Sequence, residues 1–195
     1  MNLRVSERDL KFVPVRLDFQ KRALVNLFAQ KNNKTVAETI DSKGYADLSV
    51  EVRQNYPQSL NEPVGLFLFC LKSHEDPFYR CFLNKYGDKS YCEFSISSPV
   101  DGKLKGLYCF TIGDDIQYIG RSHDPFEKRL NQGYGHISPK NCYRDGQSTN
   151  CHLNSLIAET QVNVAFFICP LTDNKDIDDL EKQLIKQLDP AWNTA

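Results

Sequence analysis

The chain has 195 residues, of which 41% are hydrophobic, and its formal net charge is −1 at pH 7. This length suits one large domain or two small ones, with enough apolar residues for a core. No apolar run approaches the ~20 residues that a bilayer-spanning helix needs, so we predict no membrane segment. The near-zero total charge does not by itself indicate a nucleic-acid binder.

The distribution of charge is more informative than the total. Residues 1–34 hold eight Lys or Arg against three acidic residues, and residues 103–144 hold seven against four. This asymmetry permits a basic surface that faces DNA, although most charge clusters are merely solvated.

The seven cysteines predict a cytoplasmic protein with reduced thiols. Their number is odd, most lie in strand-like runs, and no signal-peptide pattern precedes them. Cys142, Cys151 and His152 could suggest zinc, but there is no close cysteine pair and no fourth ligand at the usual spacing.

In chain order, the first predicted elements are helical. After an irregular basic arm, apolar residues at helical spacing predict a helix from about 18 to 30. Thr35, followed three residues later by Glu38, predicts the N-cap and capping box of a second helix. Residues 46–56 favour a third helix, although their valines also permit a strand.

The next stretch predicts strands. Residues 65–71 are almost wholly apolar, which is typical of a buried strand. Residues 80–83 and 91–96 predict a hairpin around Gly87.

A domain boundary is predicted at residues 99–102, where proline and glycine cluster. It separates an N-terminal α+β region (1–100) from a second domain (101–195). Two interpretations of the first region stay open: it positions DNA or chooses the target, or it is an extension that stabilises the sheet of the second domain.

Residues 106–121, Gly-Leu-Tyr-Cys-Phe-Thr-Ile-Gly-Asp-Asp-Ile-Gln-Tyr-Ile-Gly-Arg, predict a strand, a tight turn and a returning strand. With an odd number of turn residues, such as 113 to 115, Ile112 lies opposite Ile116, and Tyr118 lies opposite Phe110. Gly120 then lies opposite Tyr108, and both tyrosines share one face beside the open space at the glycine. A two-residue turn would place the tyrosines on opposite faces. These residues alone equally fit an ordinary core hairpin.

A short helix is predicted after this hairpin. Asp124 is placed as N-cap, Pro125 at the first helical position and Glu127 three residues after the cap, and Gly133 is a natural stop. Arg129 would lie on the rim of this helix and lean over the tyrosine face. Its planar fork suits bidentate contacts to phosphate oxygens, so the phenols and the guanidinium form a candidate phosphate site.

Residues 133–154 predict a long polar loop, a kind of segment that often carries function. Arg144, Asn150 and Asn154 can donate hydrogen bonds to phosphates or base edges of DNA. Such side chains equally stabilise loops by bonding to nearby backbone.

A helix over 152–159, a strand over 162–168 and a last helix complete the predicted elements. Ile177 and Leu184 mark the apolar stripe of the last helix, and Glu181 lies between them. A carboxylate on the core side of a helix must find a partner, which is either a basic side chain or a cation.

Together these features resemble the GIY-YIG nuclease family, which includes homing endonucleases, some restriction enzymes and the incision subunit of bacterial excision repair. The resemblance consists of Gly-Leu-Tyr and Tyr-Ile-Gly in the hairpin, a basic residue and a helical Arg after it, a Glu on the last helix and an Asn after a Pro. It covers about residues 104–195, roughly half of the chain. It implies an α+β fold with a small three-stranded antiparallel sheet flanked by helices, here with an N-terminal α+β extension.

The resemblance also implies a set of site residues. Relatives place a His or Tyr one turn beyond the helical Arg, and two residues could fill that position. The catalytic residues are accordingly expected among Tyr108, Tyr118, Arg121, Arg129, Tyr134 and His136. The DNA-binding residues are expected among Arg144, Asn150, Asn154 and Asn193, although Asn193 could instead reach back to hold the site.

In the mechanism that the resemblance implies, Glu181 holds one Mg²⁺ ion, for which Mn²⁺ can substitute. Tyr108 helps to deprotonate the attacking water. Because an unperturbed phenol titrates near ~10, a neighbouring Arg must lower its pKa. Arg129 clamps the scissile phosphate, and Tyr118 bonds to the phosphate or the nucleophile. Arg121 stands where relatives often carry Lys.

The sequence therefore predicts a Mg²⁺-dependent DNA endonuclease, first of all a restriction or phage-defence enzyme, with a homodimer as the means of cutting both strands. Homing, repair and single-strand nucleases are alternatives, as is a catalytically inactive DNA-binding module. A partner-binding protein without nucleic-acid affinity is a further class. One departure from the family is the spacing of nine residues from Gly120 to Arg129, which is one more than its pattern.

Overall fold

The computed structural model describes residues 1–97, 101–160 and 163–193 and divides the chain into two compact units. The sheet unit comprises Met1–Arg22, Cys92–His136 and Leu156–Ala195, and the helical unit comprises Ala23–Tyr91 and Ile137–Ser155. Each unit combines segments from both predicted halves of the chain. Part of the predicted boundary, residues 99 and 100, lies outside the described residues.

Strands and helices are both present, which confirms the predicted α+β class. Within the described ranges the strands are β1 (Asn2–Val5), β2 (Arg8–Lys11), β3 (Val13–Val15), β4 (Leu17–Leu24), β5 (Tyr91–Ile96), β6 (Gly106–Ile112), β7 (Asp115–Ser122) and β8 (Val164–Pro170). The α-helices of the same ranges are α1 (Val36–Ile40), α2 (Ser49–Asn55), α3 (Val64–Ser73), α4 (Phe126–Arg129), α5 (Ser148–Thr160) and α6 (Asn174–Leu188).

The main sheet of the sheet unit has four antiparallel strands in the order β3-β8-β6-β7. Three of them are the strands that we predicted, although β8 begins at Val164 and residue 162 lies outside the described ranges. The fourth is β3, whose Val15 pairs with Phe166 of β8. The three-stranded sheet that the resemblance implies is therefore not confirmed.

Two different cores cover the faces of this sheet. One face is aliphatic, and Leu107 and Ile119 pack there against Ile177 and Leu184 of α6 and against Phe12. The other face is aromatic, because alternate residues of β6, β7 and β8 carry rings. The candidate site lies on and beside this aromatic face.

The helix predicted over 18–30 is wrong. Its first part is strand β4, which pairs with β5, and only Leu27–Gln30 forms a short 3-10 turn. Ala23 and Asn26 have positive φ angles of 54°, and such residues interrupt a helix. Phe19 of β4 packs on Phe94 of β5 at 5.6 Å between ring centroids, so tertiary pairing outweighs the local spacing.

The strand predicted at 65–71 is also wrong, because this run forms helix α3. Val64, Phe67, Leu68 and Leu71 are buried at helical spacing. A short, almost continuous apolar run carries no period that separates a buried strand from a buried helix.

The hairpin predicted around Gly87 does not form. Residues Pro77–Phe82 are a 3-10 helix that starts at Asp76, whose side chain accepts from the N–H of Phe78, and β5 pairs with β4 instead. Three predicted helices are confirmed. Thr35 and Glu38 form the predicted capping box of α1, and α2 and α5 lie where helices were predicted.

The cysteines and the helices agree with two further expectations. All seven cysteines lie in the described ranges as free thiols. In those ranges no helix combines the length and the apolar composition that a membrane crossing requires.

Candidate functional site

A two-residue turn that begins at Gly113 joins β6 to β7, which is one of the two turn lengths that the sequence left open, and Ile112 pairs with Asp115. The register shifts just after Phe110, so β7 contains one extra residue, which is a β-bulge. The extra residue of the bulge changes the pairing beyond it in the same way as a third turn residue would. The predicted pair of Tyr118 with Phe110 is therefore confirmed, and so is the pair of Gly120 with Tyr108.

The space beside Gly120 is filled, whereas we predicted an open gap. A Cβ at Gly120 would lie 2.5 Å from the phenol oxygen of Tyr108. The Tyr108 ring is fully buried and packs against Phe110, Phe126 and Phe166. The glycine thus admits the phenol and leaves no room for a phosphate at that point.

Three phenols meet on the aromatic face. The hydroxyl of Tyr108 donates to that of Tyr134 at 3.0 Å, and the hydroxyls of Tyr118 and Tyr134 lie 3.1 Å apart. All three side chains are buried. We call Tyr108, Tyr118 and Tyr134 the phenol cluster.

A π-helical turn brings Tyr134 to this cluster. Helix α4 ends at Arg129, and Leu130–Tyr134 continues as a π-helix in which the N–H of Gly135 donates to the carbonyl of Leu130 at 2.6 Å. A π turn places residues five apart on one side, and Arg129 and Tyr134 have that separation. The predicted stop of an α-helix at Gly133 is therefore wrong.

The start of α4 also differs from the prediction. Pro125 is the N-cap, and no side chain caps the helix. The carboxylate of Asp124 instead accepts from Lys128 at 3.0 Å.

Arg129 binds two of the phenols. Its Nε donates to the Tyr108 hydroxyl at 3.4 Å and its Nη2 to the Tyr134 hydroxyl at 2.5 Å. The guanidinium also lies 4.4 Å from the centre of the Tyr134 ring, which is a cation–π contact. His136, the other candidate, has a side chain that is 60% exposed and lies 3.7 Å from Glu93. Of the two, only Tyr134 joins the cluster.

Glu181 forms an ion pair on the aliphatic side of the sheet. Its Oε2 accepts from Nη1 of Arg121 at 2.5 Å, and only 15% of its side chain is exposed. Nε of Arg121 lies 3.1 Å from Oδ1 of Asp178, which also lies 2.7 Å from Nε2 of His123. We call Glu181, Asp178 and Arg121 the carboxylate cluster. Of the two partners considered for Glu181, the structure contains the basic one.

The two clusters are both attached to β7, which is an edge strand of the sheet. Residues alternate across a strand, so Tyr118 and Arg121 leave β7 on opposite faces. The charge of Glu181 nevertheless contributes to raising the pKa of Tyr118.

Burial determines the protonation of the site. It raises the pKa of Tyr108 well above its usual value, and Arg129 offsets this only in part. Burial likewise raises the pKa of Tyr118. The expectation of a phenol with a lowered pKa is therefore wrong for this state of the molecule, in which both phenols are neutral. Burial also raises the pKa of Glu181, Arg121 lowers it and Asp178 raises it further.

The carboxylate cluster fits the donor set that Mg²⁺ prefers. This cation binds through one or two carboxylates and keeps several waters. Glu181, with Asp178 one helical turn before it, meets that requirement. Across the described residues no group of three or more His, Cys, Asp or Glu side chains is arranged to hold a metal ion, so a richer cage, such as a zinc site at Cys142, is not present there.

Asn193 secures the strand and does not lie at the site. Its side-chain amide donates to the carbonyl of Ile119 at 2.8 Å and accepts from the N–H of the same residue at 2.9 Å. The N–H of Trp192 adds a bond to the carbonyl of Gln117 at 2.8 Å. These contacts cover the outer edge of β7, where an unpaired ladder would be exposed. The expected DNA contact of Asn193 has no support here.

The other expected DNA contacts belong to the helical unit and serve its own structure. The guanidinium of Arg144 binds the carboxylate of Asp47 and the carbonyl of Gly44. Asn150 and Asn154 are buried, which removes them from any surface that DNA could touch. Of the two roles considered for these three residues, stabilisation of their own segment fits the structure better than contact with DNA.

Sequence reasoning missed two residues of the site region, Asp178 and His123. Asp178 precedes Glu181 by three residues, and this spacing on a helix was a usable signal for a second carboxylate. His123 carried no signal, because only its contact with Asp178 connects it to the cluster.

Comparison of the chain with family models, with curated proteins and with solved structures finds no match. The resemblance to GIY-YIG nucleases therefore rests on the motif residues alone.

Proposed function

We propose that this chain is a divalent-cation-dependent endonuclease that hydrolyses phosphodiester bonds of DNA. The observation that carries the proposal is that Arg129 meets three phenols beside β7. The same strand carries Arg121, which binds Glu181. A guanidinium, hydroxyls and a partly buried carboxylate are the groups that phosphoryl transfer requires.

Arg129 is the proposed contact to the scissile phosphate. It is half-buried, whereas Tyr108 and Tyr134 beneath it are fully buried, so a phosphate meets the guanidinium before the phenols. If the guanidinium exchanged its bonds to the phenol oxygens for bonds to phosphate oxygens, its N–H groups would stay hydrogen-bonded. Its positive charge would then stabilise the negative charge of the transition state.

The phenols are proposed to align the attacking water. Water attacks phosphorus in line, a new P–O bond forms and the bond to the leaving oxygen breaks; the attacking water gives one proton to the solvent, and the leaving oxygen takes one from it. Tyr118 is the least buried of the three phenols at 9% exposure, so it is placed to bond to the phosphate or the water. Tyr108 is neutral, because burial raises its pKa well above the usual value and Arg129 offsets this only in part, so its hydroxyl is proposed to hydrogen-bond to the water and orient it.

Glu181, assisted by Asp178, is proposed to hold Mg²⁺. When bound there, the ion would supply Lewis-acid stabilisation of the developing charge. Burial raises the pKa of Glu181 and Arg121 lowers it in part, so Arg121 favours the ionised carboxylate that binds a cation.

The test uses the purified protein with supercoiled plasmid, linear duplex and single-stranded DNA, in Mg²⁺ or in chelator. We expect cleavage only with the cation, and a loss of about 10²–10³-fold in kcat for Arg129→Ala and for Glu181→Gln. Lys128→Ala is the matched control, because this exposed neighbour of Arg129 bonds to Asp124 and is outside the proposed site.

Other outcomes of this test would indicate other functions. Salt-dependent DNA binding without cleavage would identify a catalytically inactive DNA-binding module, and the absence of both would support a protein of another class. Full activity of Glu181→Gln would contradict the cation assignment. The pattern of plasmid products addresses the biological role, because cuts at fixed sequences would favour a restriction or homing enzyme over a repair or single-strand nuclease.

A further inference from the structure

A cavity of about 510 Å³ lies on the helical unit, beside the 3-10 helix Pro77–Phe82 and the loop that follows it. Its lining consists of Arg80, Leu83, Asn84, Lys85, Asp88 and Lys89. Three of these side chains are cationic and exposed, and one is acidic. Neither the motif resemblance nor the proposed catalytic site involves them.

The acid of this lining does not neutralise its cations. One oxygen of Asp88 accepts from Nζ of Lys72 at 2.5 Å, and the other accepts from the hydroxyl of Tyr79 at 2.8 Å. Both oxygens are engaged with groups outside the lining, and Lys72 balances the charge. The positive charges of the lining are therefore available to a ligand.

The loop that carries the two lysines is held in place. The side-chain amide of Asn84 donates to the carbonyls of Asn141 and Tyr143 at 2.7 and 3.1 Å, and it accepts from the N–H of Tyr86 at 3.0 Å. Gly87 packs so closely that a Cβ there would lie 2.0 Å from the carbonyl oxygen of Cys142. A loop fixed in this way presents its side chains without a large ordering cost on binding.

Two of the three cationic side chains contact aromatic residues. Nε of Arg80 donates to the Tyr79 hydroxyl at 3.1 Å, and Nζ of Lys85 lies 4.8 Å from the centre of the Tyr86 ring. Leu83 is the one apolar side chain of the lining, and none of its residues offers a ring on which a base could stack. This chemistry suits phosphate groups, not bases.

We propose that this cavity is a second phosphate site, which binds the sugar–phosphate backbone of the nucleic acid through Arg80, Lys85 and Lys89. The identity of the ligand rests on the proposed nuclease function. The site supplies affinity that is independent of sequence, because backbone contacts position a nucleic acid without reading it. It gives the helical unit a role that the predicted DNA contacts of Arg144, Asn150 and Asn154 do not fill.

The test measures binding of fluorescein-labelled duplex and single-stranded DNA to the full chain, in chelator to prevent cleavage, from about 50 to 200 mM salt. In Lys85→Ala/Lys89→Ala we expect affinity to fall at least 10-fold at the lowest salt. The slope of log K against log salt should become shallower by about 1 to 2, since each lost phosphate contact removes about 0.9. Lys85→Arg/Lys89→Arg should retain the wild-type slope.

The matched control is Lys34→Ala/Lys43→Ala, which removes two exposed charges from the same unit. An unchanged slope in the Lys85/Lys89 variant would overturn the proposal. An equal loss in the control would overturn it too, because binding would then reflect diffuse charge. Thermal unfolding verifies that the variants fold; if the double variant unfolds, Lys85→Gln and Lys89→Gln are judged singly by the same slope.

Failure of this inference is distinguishable from failure of the proposed function. A wild-type protein that cuts DNA in Mg²⁺, together with a Lys85/Lys89 variant that binds as wild type, leaves the nuclease standing and removes the second site. A wild-type protein that neither binds nor cuts nucleic acid removes both.

Discussion

Arg121 is shared between two carboxylates, and this makes it both a partner and a competitor for a cation. It keeps the pKa of Glu181 lower than burial alone would, yet it occupies the oxygen at 2.5 Å that a cation would need. A carboxyl group binds a cation only when it is deprotonated, so a raised pKa removes binding as pH falls through that value.

We therefore predict two opposite effects of Arg121→Ala on binding of Mn²⁺. Above the pKa of Glu181 the variant should bind the ion more tightly, because the competing guanidinium is gone. The loss of binding at acidic pH should begin at a higher pH than in wild type, because the pKa of Glu181 rises further. Isothermal titration at several pH values measures both.

Arg121→Lys is the control, since it retains the charge and should keep the acidic limit near that of wild type. Identical Mn²⁺ affinity of wild type and Arg121→Ala at every pH would contradict the idea that this guanidinium competes for Glu181.

A glycine is needed at position 120 because the phenol of Tyr108 occupies the space that a Cβ would fill. We predict that Gly120→Ala displaces the phenol and destabilises the fold by about 1–3 kcal/mol, as other overpacked cores are. The bonds of Tyr108 to Tyr134 and Arg129 should be lost with it, and activity should fall. Chemical denaturation and cleavage rates measure the two effects.

Gly44→Ala is the comparison, because a Cβ there would meet its nearest atom at 3.9 Å, an ordinary contact. Wild-type stability of Gly120→Ala would show that Tyr108 can move without loss.

At the scale of elements, the site depends on two irregularities. The β-bulge in β7 puts Tyr118 and Gly120 on the face of Tyr108, and the π-helical turn brings Tyr134 to Arg129. No residue pattern signalled either feature. The facing pairs in the hairpin were predicted for only one of two turn lengths, because the residues of the hairpin did not decide between them.

Strand β7 also depends on a side chain from the far end of the chain. Asn193 makes two hydrogen bonds to the backbone of Ile119, between Tyr118 and Gly120. We predict that Asn193→Ala destabilises the protein by about 1–3 kcal/mol, because a partly buried N–H and carbonyl lose their partner. The cleavage defect should lie in kcat, with KM and DNA affinity little changed, since the amide positions the strand.

Asn163→Ala, an exposed asparagine of the same unit, serves as the control. A variant of Asn193 with weakened DNA binding and unchanged stability would instead support the DNA contact that the sequence predicted.

Local patterns predicted some elements well and failed for others, for identifiable reasons. The capping box of α1 and the apolar stripe of α6 are local signals, and both elements formed. Strands β3 and β4 exist because distant strands pair with them, and nothing within residues 13–24 indicates those partners. Polar side chains were predicted to contact DNA because of their chemical type alone, but Asn150, Asn154 and Asn193 make their contacts within the fold.

At the scale of the whole molecule, the two units are interleaved along the chain. The sheet unit uses three separate segments, and the segment that carries the phenols contributes only part of its sheet. The half-chain covered by the motif resemblance is therefore not a structural unit. Without relatives to compare, this division was accessible only from the structure.

The outer strand β3 has a practical consequence for anyone who wishes to isolate the part of the chain that carries the motif residues. A polypeptide that starts near residue 101 would leave the hydrogen-bonding groups of Phe166 and Ile168 facing water, next to the apolar side chains of β8. An uncovered edge of this kind invites pairing between molecules and precipitation. A soluble fragment with the motif residues would have to retain the first fifteen residues, or replace β3 by a grafted strand.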